Sequence, residues 1–523
     1  MLPDSQVKVR TISSVNPATG AVLREFEPAN EAGVRAAVER ARAAQPAWDA
    51  LGVRKRIGVL REFQRRLQEK KLEVAEAITR EAGKPVAEAL TTEVLVVLDE
   101  TRFLTENAYR LLRDEPVPHG NFAAKLKRGK LLREPYGVVG IISPWNYPFS
   151  IPAGEALAAL VAGNAVVLKP SELTSLVALE LRSLLHDAGV PKDVFQVVVG
   201  DGDTGSALVG AAVDKLVFTG SVATGKRISA AAAERLLPMV LELGGKDPML
   251  VLEDADVDVA SSAAVWGAFM NAGQTCLSVE RCYVHRSLYD AFLAECVRKA
   301  KKLRVGNGME SETDVGPMID ERQLKIVEEH VADARARGAR VLVGGARMAD
   351  LEGNMFAPTV LADVMQDMRV MREETFGPVL PVAAFDSDEE AVRLANDSEF
   401  GLAASVWTRD RARGERLARR IRAGTVMVND VISCFGISEA PHGGVKASGI
   451  GRTHGRLGLE EMVRIKYVDV DLMPRMKKVW WYGYGLRFQR QMEGFLDAQF
   501  GRSLRERVRG AVRVAGVLRR KPL

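Results

Sequence analysis

From Tyr136 to Gly245 short β-branched runs alternate with stretches of helical periodicity, and this alternation constrains the fold more than any other feature. "YGVVGIISPWN" reads as a strand and "PAGEALAALVAG" as a helix. "NAVVLKPS" is again a strand, followed by the helix "ELTSLVALELRSLLHDAG", and "FQVVVGDG", "KLVFTGS" and "PMVLELGG" continue the pattern. Strands joined by helical crossovers run parallel, and strands this continuously apolar need both faces covered. The expected class is therefore α/β with a doubly wound parallel sheet. After Gly245 a second block offers "PMLVLED", "RCYVHR", "ARVLVGG", "VLPVAAF" and "TVMVND" as strands and "DERQLKIVEEHVADARARG" as a helix. Upstream, "EAGVRAAVERARAAQPAW" and "RIGVLREFQRRLQEKKLEVAEAITREAG" carry apolar residues at helical spacing. "LKRGKLLREP" reads as an exposed ribbon and "RIKYVDVD" as a partly exposed strand. No internal repeat or low-complexity tract occurs, and the "LGG" turn near 244 is the expected domain boundary.

At 523 residues the chain is too long for one small core. Its four cysteines, at 276, 282, 296 and 434, make no disulfide framework and contain no CxxC. The histidines show no metal-ligand spacing, so no metal is expected. The N-terminal "MLPDSQVKVR" has no apolar core of a secretory leader, and no run is long enough to span a bilayer. A cytoplasmic protein with reduced thiols is the expectation. The net charge of +5 conceals an asymmetry: residues 474–523 hold 13 Lys/Arg against 3 Asp/Glu, so the remainder is net negative.

In parallel sheets ligands bind beyond the carboxyl ends of the strands. Asn146 follows "GVVGIISPW", Lys169 follows "NAVVL", Gly220 and Ser221 follow "KLVFT", and Glu242 follows "PMVL". "GSVATG", from Gly220 to Gly225, suits a loop that brings backbone N–H groups to phosphate, and equally a plain turn. Lys169 is either a solvated strand end or, with Glu172, a pair for ribose hydroxyls. Glu242 interrupts an apolar run, so its carboxylate is expected to be partly buried and its pKa raised toward general-base use. Cys276 stands in "FMNAGQTCLSVERCYV", and a thiolate there requires electropositive or N–H-rich surroundings. The Asn146 amide suits a developing oxyanion. Spacing alone does not bring these residues together.

"PWNYP", "KPSE", "FTGSVATG", "LELGGK", "FMNAGQTC", "EETFGP" and "PHGGVKASGIGR" all occur. Together they resemble the NAD(P)-dependent aldehyde dehydrogenase superfamily, over residues 11 to 473. The resemblance implies a Rossmann-like NAD(P)-binding domain (1–116 and 136–244), an α/β catalytic domain (245–445) and a small β oligomerisation arm (117–135 and 460–473). It implies a homodimer or homotetramer, and leaves 474–523 as a basic aromatic tail. Carried over residue by residue, it makes Cys276 the nucleophile and Glu242 the general base. Asn146 and the Cys276 N–H become the oxyanion hole. Lys169 and Glu172 match the positions on the adenosine ribose, and Ser221, with Gly220 and Gly225, the pyrophosphate loop. Glu374 and Phe376 match the positions at the nicotinamide ribose and ring, Pro144 and Trp145 the loop beside adenine and substrate. The implied reaction oxidises an aldehyde through a thiohemiacetal and a thioester, which Glu242-activated water hydrolyses. Cys282, Cys296 and Cys434 remain packed thiols. His442 replaces the usual Phe of "PFGG" and is read as packing, and Ser278 stands where some semialdehyde-oxidising relatives carry a second Cys.

The segment "DVISCFGISEA" before "PHGG" has no Lys or Arg, which favours a neutral, fairly apolar aldehyde contacted by Ile432, Phe435 and Ile437. Glu172 favours the free 2′-hydroxyl of NAD, with NADP as the alternative. Succinic-semialdehyde-type oxidation, a coenzyme A-acylating enzyme and a catalytically idle scaffold are the rival readings. The Trp480-Trp481-Tyr482 tail suits an anionic membrane surface, with packing on the body or a partner subunit as the preferred alternative. Nucleic-acid binding is not expected.

Overall fold

The computed structural model describes residues 10–121, 124–478 and 480–514. They form two compact units, one of residues 10–113 and 133–464, the other of residues 114–132 and 465–514. The first unit opens with an antiparallel hairpin, β1 (Ile12–Val15) and β2 (Val22–Phe26), turning at Gly20 in a left-handed conformation. Helices Glu31–Ala50, Val53–Glu69, Lys71–Ala82 and Leu95–Leu112 follow. Their periodic apolar residues, such as Leu60, Phe63 and Leu67, are fully buried. A five-residue π turn, Leu90–Val94, leads into the last of them. β3 (Glu115–Val117) and β4 (Lys127–Pro135) then pair antiparallel.

The first sheet comprises β5 (Val138–Ile142), β6 (Ala165–Lys169), β7 (Phe195–Val197), β8 (Lys215–Thr219) and β9 (Met239–Glu242), in the order β9-β8-β5-β6-β7. All are parallel, and the two-residue strand Gly449–Ile450 adds an antiparallel edge on β9. The chain winds one way from β5 to β7 and then the other way through β8 and β9. The direction reverses between β5 and β8, where open α/β sheets hold their ligands. β5 and β6 are buried at every residue, as continuous apolar strands under helices on both faces must be.

Gly244 and Gly245 lead directly into the second sheet. Its strands are β10 (Asp247–Val251), β11 (Val279–His285), β12 (Arg340–Val343), β13 (Thr359–Ala362), β14 (Val379–Phe385), β15 (Ala403–Trp407) and β16 (Thr425–Val428), ordered β12-β13-β14-β11-β10-β15-β16. Only β12 runs against its neighbour, because the connection to β13 contains no helical crossover to reverse it. β13 and β15 were not expected from the sequence. β13 has only four residues, and the alanines of "AASVW" carry little strand signal.

In the second unit the strand Val463–Asp471 lies on the other side of β4, giving a three-stranded antiparallel sheet. Tyr467 Oη and His119 Nε2 are 2.7 Å apart across it. Two helices, Leu486–Phe500 and Leu504–Val514, form a hairpin. Gly494 and Gly510 are buried where they meet, and a Cβ on Gly510 would strike the Gly494 carbonyl. Ser503 and Glu506 close the second helix reciprocally: Ser503 Oγ accepts from Glu506 N, and Glu506 Oε2 from Ser503 N. Leu496, Phe500, Leu504, Val508 and Val512 stay exposed. Part of the 474–523 tail, residue 479 and residues 515–523, lies outside the described residues. No helix of the described residues is long and apolar enough to cross a membrane.

Candidate active site

Cys276 ends a turn that the backbone holds under strain. Asn271 and Ala272 both sit in the left-handed region, at φ 52° and 53°, and Gly273 follows at φ 71°. Such a conformation costs a non-glycine residue about 1–2 kcal/mol, and the surroundings hold it in place. Glu88 Oε2 accepts from Asn271 N at 2.9 Å. Gln274 Oε1 accepts from Ile319 N at 2.8 Å while its Nε2 donates to the Asn271 carbonyl. Gly245 packs so close that a Cβ would collide with the Cys276 carbonyl oxygen.

Asn146 follows β5, with its amide buried and Nδ2 donating to the Gln274 carbonyl at 3.0 Å. The amide carries two N–H donors and this bond uses one of them, but Asn146 is not among the residues lining either cavity beside Cys276. A buried ion pair braces this segment. Lys84 Nζ lies 2.7 Å from Glu93 Oε1, donates to the Asn146 carbonyl at 2.7 Å and sits 3.8 Å from the centre of the Tyr147 ring. Glu93 Oε2 accepts from Phe149 N and Ser150 N.

Cys276 borders two cavities of different character. One, of about 270 Å³, is walled by Val96, Tyr147, Ile151, Trp266, Met270, Leu277, Ile432 and Phe435. Neither a lysine nor an arginine lines it. Ile432, a β-branched residue, adopts φ 62° there, a strained conformation. Ile432 and Phe435 line this cavity, whereas Ile437, after the 3-10 turn Ser433–Gly436, is exposed and is not among its lining residues. The other cavity, about 30 Å³, is lined by Glu155, Thr219, Glu242, His442, Thr453 and His454 among others.

Glu242 ends β9, and both its carboxylate oxygens are buried without a hydrogen-bond partner among the described residues. Burial, then the nearby Glu155, push its carboxyl well above the ordinary range. His442, expected only to pack, has Nε2 3.8 Å from Glu242 Oε2 and its ring edge-on to Phe435. Burial holds its pKa down to about 3, so it is neutral. Cys276 departs from the electropositive setting expected of a thiolate. Burial, then Asp247, Glu374 and Glu242, push the thiol well up. Glu242 lines the same cavity.

The remaining candidates sit around the crevice. Lys169 is buried, not a solvated strand end, and its Nζ lies 3.3 Å from Glu172 Oε2. An ammonium has three donors, so a buried one with this single partner leaves donors for a ligand. Ser221 caps helix Val222–Ala233, accepting from Thr224 N at 3.3 Å, and Gly225 is buried in its first turn. Gly220 precedes the cap, so the free N–H groups of that turn are available to an anion. Trp145 meets Phe376 edge-on at 5.4 Å between ring centres, and Pro144 precedes it. Glu374 Oε1 accepts from Gly245 N at 3.0 Å. Its loop hangs on Glu280, which accepts from Thr375 N and Phe376 N at 2.8 Å each and pairs with Lys246. Cys282, Cys296 and Cys434 are buried. Lys84, Glu93 and Glu280 were missed because their charges act on backbone groups distant in sequence, and Lys246 because it pairs with the distant Glu280.

The aldehyde dehydrogenase family profile matches residues 4–468. The chain belongs to the aldehyde dehydrogenase family. It is 42% identical over 494 residues to a 4,4'-diapolycopene aldehyde oxidase of Methylomonas sp, covering 94% of this chain and 92% of that protein. It is 38% identical to a glutarate-semialdehyde dehydrogenase of Pseudomonas putida, covering 88% and 95%. Among solved structures, an NAD+ complex of an aldehyde dehydrogenase from Bacillus cereus superposes with a TM-score of 0.85 at 36% identity, covering 88% and 94%. The protein is thus an oxidoreductase that oxidises aldehydes with a nicotinamide cofactor, on the aldehyde dehydrogenase fold.

Proposed function

We propose that this aldehyde dehydrogenase converts a neutral, fairly apolar aldehyde to its carboxylic acid through a thioester on Cys276. The observation that carries the reading is the position of Cys276 between an apolar cavity without cations and a polar cavity holding the unpartnered Glu242 carboxylate. The thiol proton passes to water, and Sγ attacks the aldehyde carbon. The spare Asn146 N–H and the Cys276 N–H stabilise the resulting oxyanion. The nicotinamide, when bound, accepts the hydride. Glu242 then removes a proton from water, which hydrolyses the thioester.

Lys169 and Glu172 would hold the adenosine ribose, the helix cap at Gly220–Ser221 the pyrophosphate, and Glu374 with Phe376 the nicotinamide side. A 2′-phosphate would meet the Glu172 carboxylate, so NAD is the proposed cofactor over NADP. Rates over an aldehyde panel with each cofactor test both choices. A medium-chain aldehyde turned over far faster than succinic semialdehyde, with NAD preferred, supports the reading, and comparable turnover of the two aldehydes refutes the substrate class. An acyl-coenzyme A product, formed when coenzyme A is supplied, would favour the acylating alternative.

The three-stranded sheet of the second unit is the proposed oligomerisation arm of a homodimer or homotetramer, read out by light scattering. The exposed apolar row from Leu496 to Val512 on a tail of net +10 is the proposed contact with an anionic lipid surface. Cosedimentation with anionic vesicles should be retained by the full chain and lost on truncation at residue 473. Equal behaviour of the two refutes it.

A further inference from the structure

Behind Cys276 and Glu242 lies a set of buried titratable side chains for which the reaction above has no use. Glu155, on helix Ser150–Ala162, accepts from Thr219 Oγ1 at 2.9 Å through Oε1, while its Oε2 has no partner among the described residues. Glu100, on helix Leu95–Leu112, has Oε2 3.7 Å from His454 Nε2, and His454 Nδ1 is also unpartnered. Burying carboxylates and imidazoles without partners costs several kcal/mol apiece unless they are neutral or hydrated. Three such groups, Glu155, Glu100 and His454, lie together in one region.

The cavities connect them. Glu155 and His454 line the polar cavity beside Cys276 and Glu242, and both also line a second, about 10 Å³, that reaches Glu100. About 10–15 Å³ suffices for one water, and these walls offer the two to four polar partners a water needs. Carboxyls and waters in succession form a route along which a proton moves by short steps.

The chemistry requires such a route. Hydrolysis adds hydroxide to the thioester carbon, breaks the C–S bond and leaves one proton on Glu242. That residue is buried, and the next turnover needs its carboxylate free.

We propose that Glu155 accepts the proton from Glu242 through a water in the polar cavity and passes it on to Glu100 across the second cavity. This rests on the reading of Glu242 as general base. Facing Glu242 are Glu155, Glu461, Arg452, His442 and Cys276, and facing Glu155 are Thr219, Glu100 and His454. Burial pushes Glu155 and Glu100 up to about 8 each, so near neutral pH both readily take and return a proton. Burial keeps both His442 and His454 neutral, at about 3 and about 4, so the carboxyls and water carry the proton, His442 forms a wall and His454 lies beside the Glu100 carboxyl. Glu155, Glu100 and His454 are positioning residues acting through Glu242.

The test uses the full chain with NAD and a medium-chain aldehyde, comparing Glu155→Gln, His454→Phe and Glu242→Gln. Glu155→Gln keeps the shape and the Thr219 contact. The expected result is an undiminished first burst of NADH, steady turnover lowered about 10-fold, and an unchanged KM for the aldehyde. Removing the Glu155 charge also lowers the pKa of Glu242, so the acid limb of kcat moves to lower pH, which a packing role would not do. His454→Phe should slow steady turnover without altering the burst. If Glu155→Gln does not fold, Thr219→Val, which frees Glu155 from its hydroxyl, is read in the same way. Parental steady rates and pH profiles in these variants, with Glu242→Gln inactive after its burst, overturn the relay. Full steady turnover by Glu242→Gln overturns instead the general-base reading beneath it.

Discussion

Replacing Lys84 by Met tests whether the buried pair behind Asn146 holds the oxyanion side of the site. The Lys84 and Glu93 side chains are both 0% exposed. Removing one partner of such a pair costs about 3–5 kcal/mol, because the other charge remains buried. Glu93 would still accept from Phe149 N and Ser150 N, which offsets part of that cost. The Asn146 carbonyl would lose Lys84 but keep Asn271 Nδ2 at 3.0 Å. The expected loss is therefore about 3 kcal/mol, at the lower end of that range. It is read from urea unfolding at fixed protein concentration. Adding Glu93→Gln should recover part of it, since an amide can accept from those N–H groups without a buried charge. In folded Lys84→Met protein the NADH burst should slow about 10-fold as Asn146 loses its brace. A stability loss below about 1 kcal/mol, no recovery in the double variant and a parental burst rate would refute the reasoning.

Gly245→Ala should abolish turnover, by 100-fold or more (~2.7 kcal/mol,), because its Cβ would displace the Cys276 backbone; near-normal kcat contradicts this. Lys169→Met should raise the KM for NAD about 10-fold with the burst amplitude kept at saturating NAD, and an unchanged KM argues against its ribose role. Folding raises Glu100 and Glu155 to about 8 and so favours their protonated forms. Their contribution to stability is fully present below the unfolded value of 4.5 and is lost as pH rises through about 8. Glu100→Gln should therefore flatten the fall in melting temperature between pH 5 and 8, and a curve parallel to the parent's counts against it.

The parallel sheet was legible because β-branched runs such as "NAVVL" and "KLVFT" read as buried strands whatever their partners. The candidate nucleophile and base were legible through ordered motifs, not through spacing, since Cys276 and Glu242 come from different sheets joined at Gly245. What escaped were side chains whose partners lie far along the chain. Glu280 looks like an ordinary strand residue until Thr375 and Phe376 donate to it, and Glu155 like a helix surface charge until Thr219 and the cavity enclose it. β12 illustrates a further limit: its apolar run marks a strand, but only the loop after it sets its direction.

The central claim is the thioester on Cys276. Glu242→Gln protein is mixed with NAD and a medium-chain aldehyde, quenched in acid, digested and analysed by mass spectrometry. The account predicts one NADH per chain and an acyl group on the peptide containing Cys276, removed by hydroxylamine. An unmodified Cys276, or the acyl group on Cys282, Cys296 or Cys434, would contradict it.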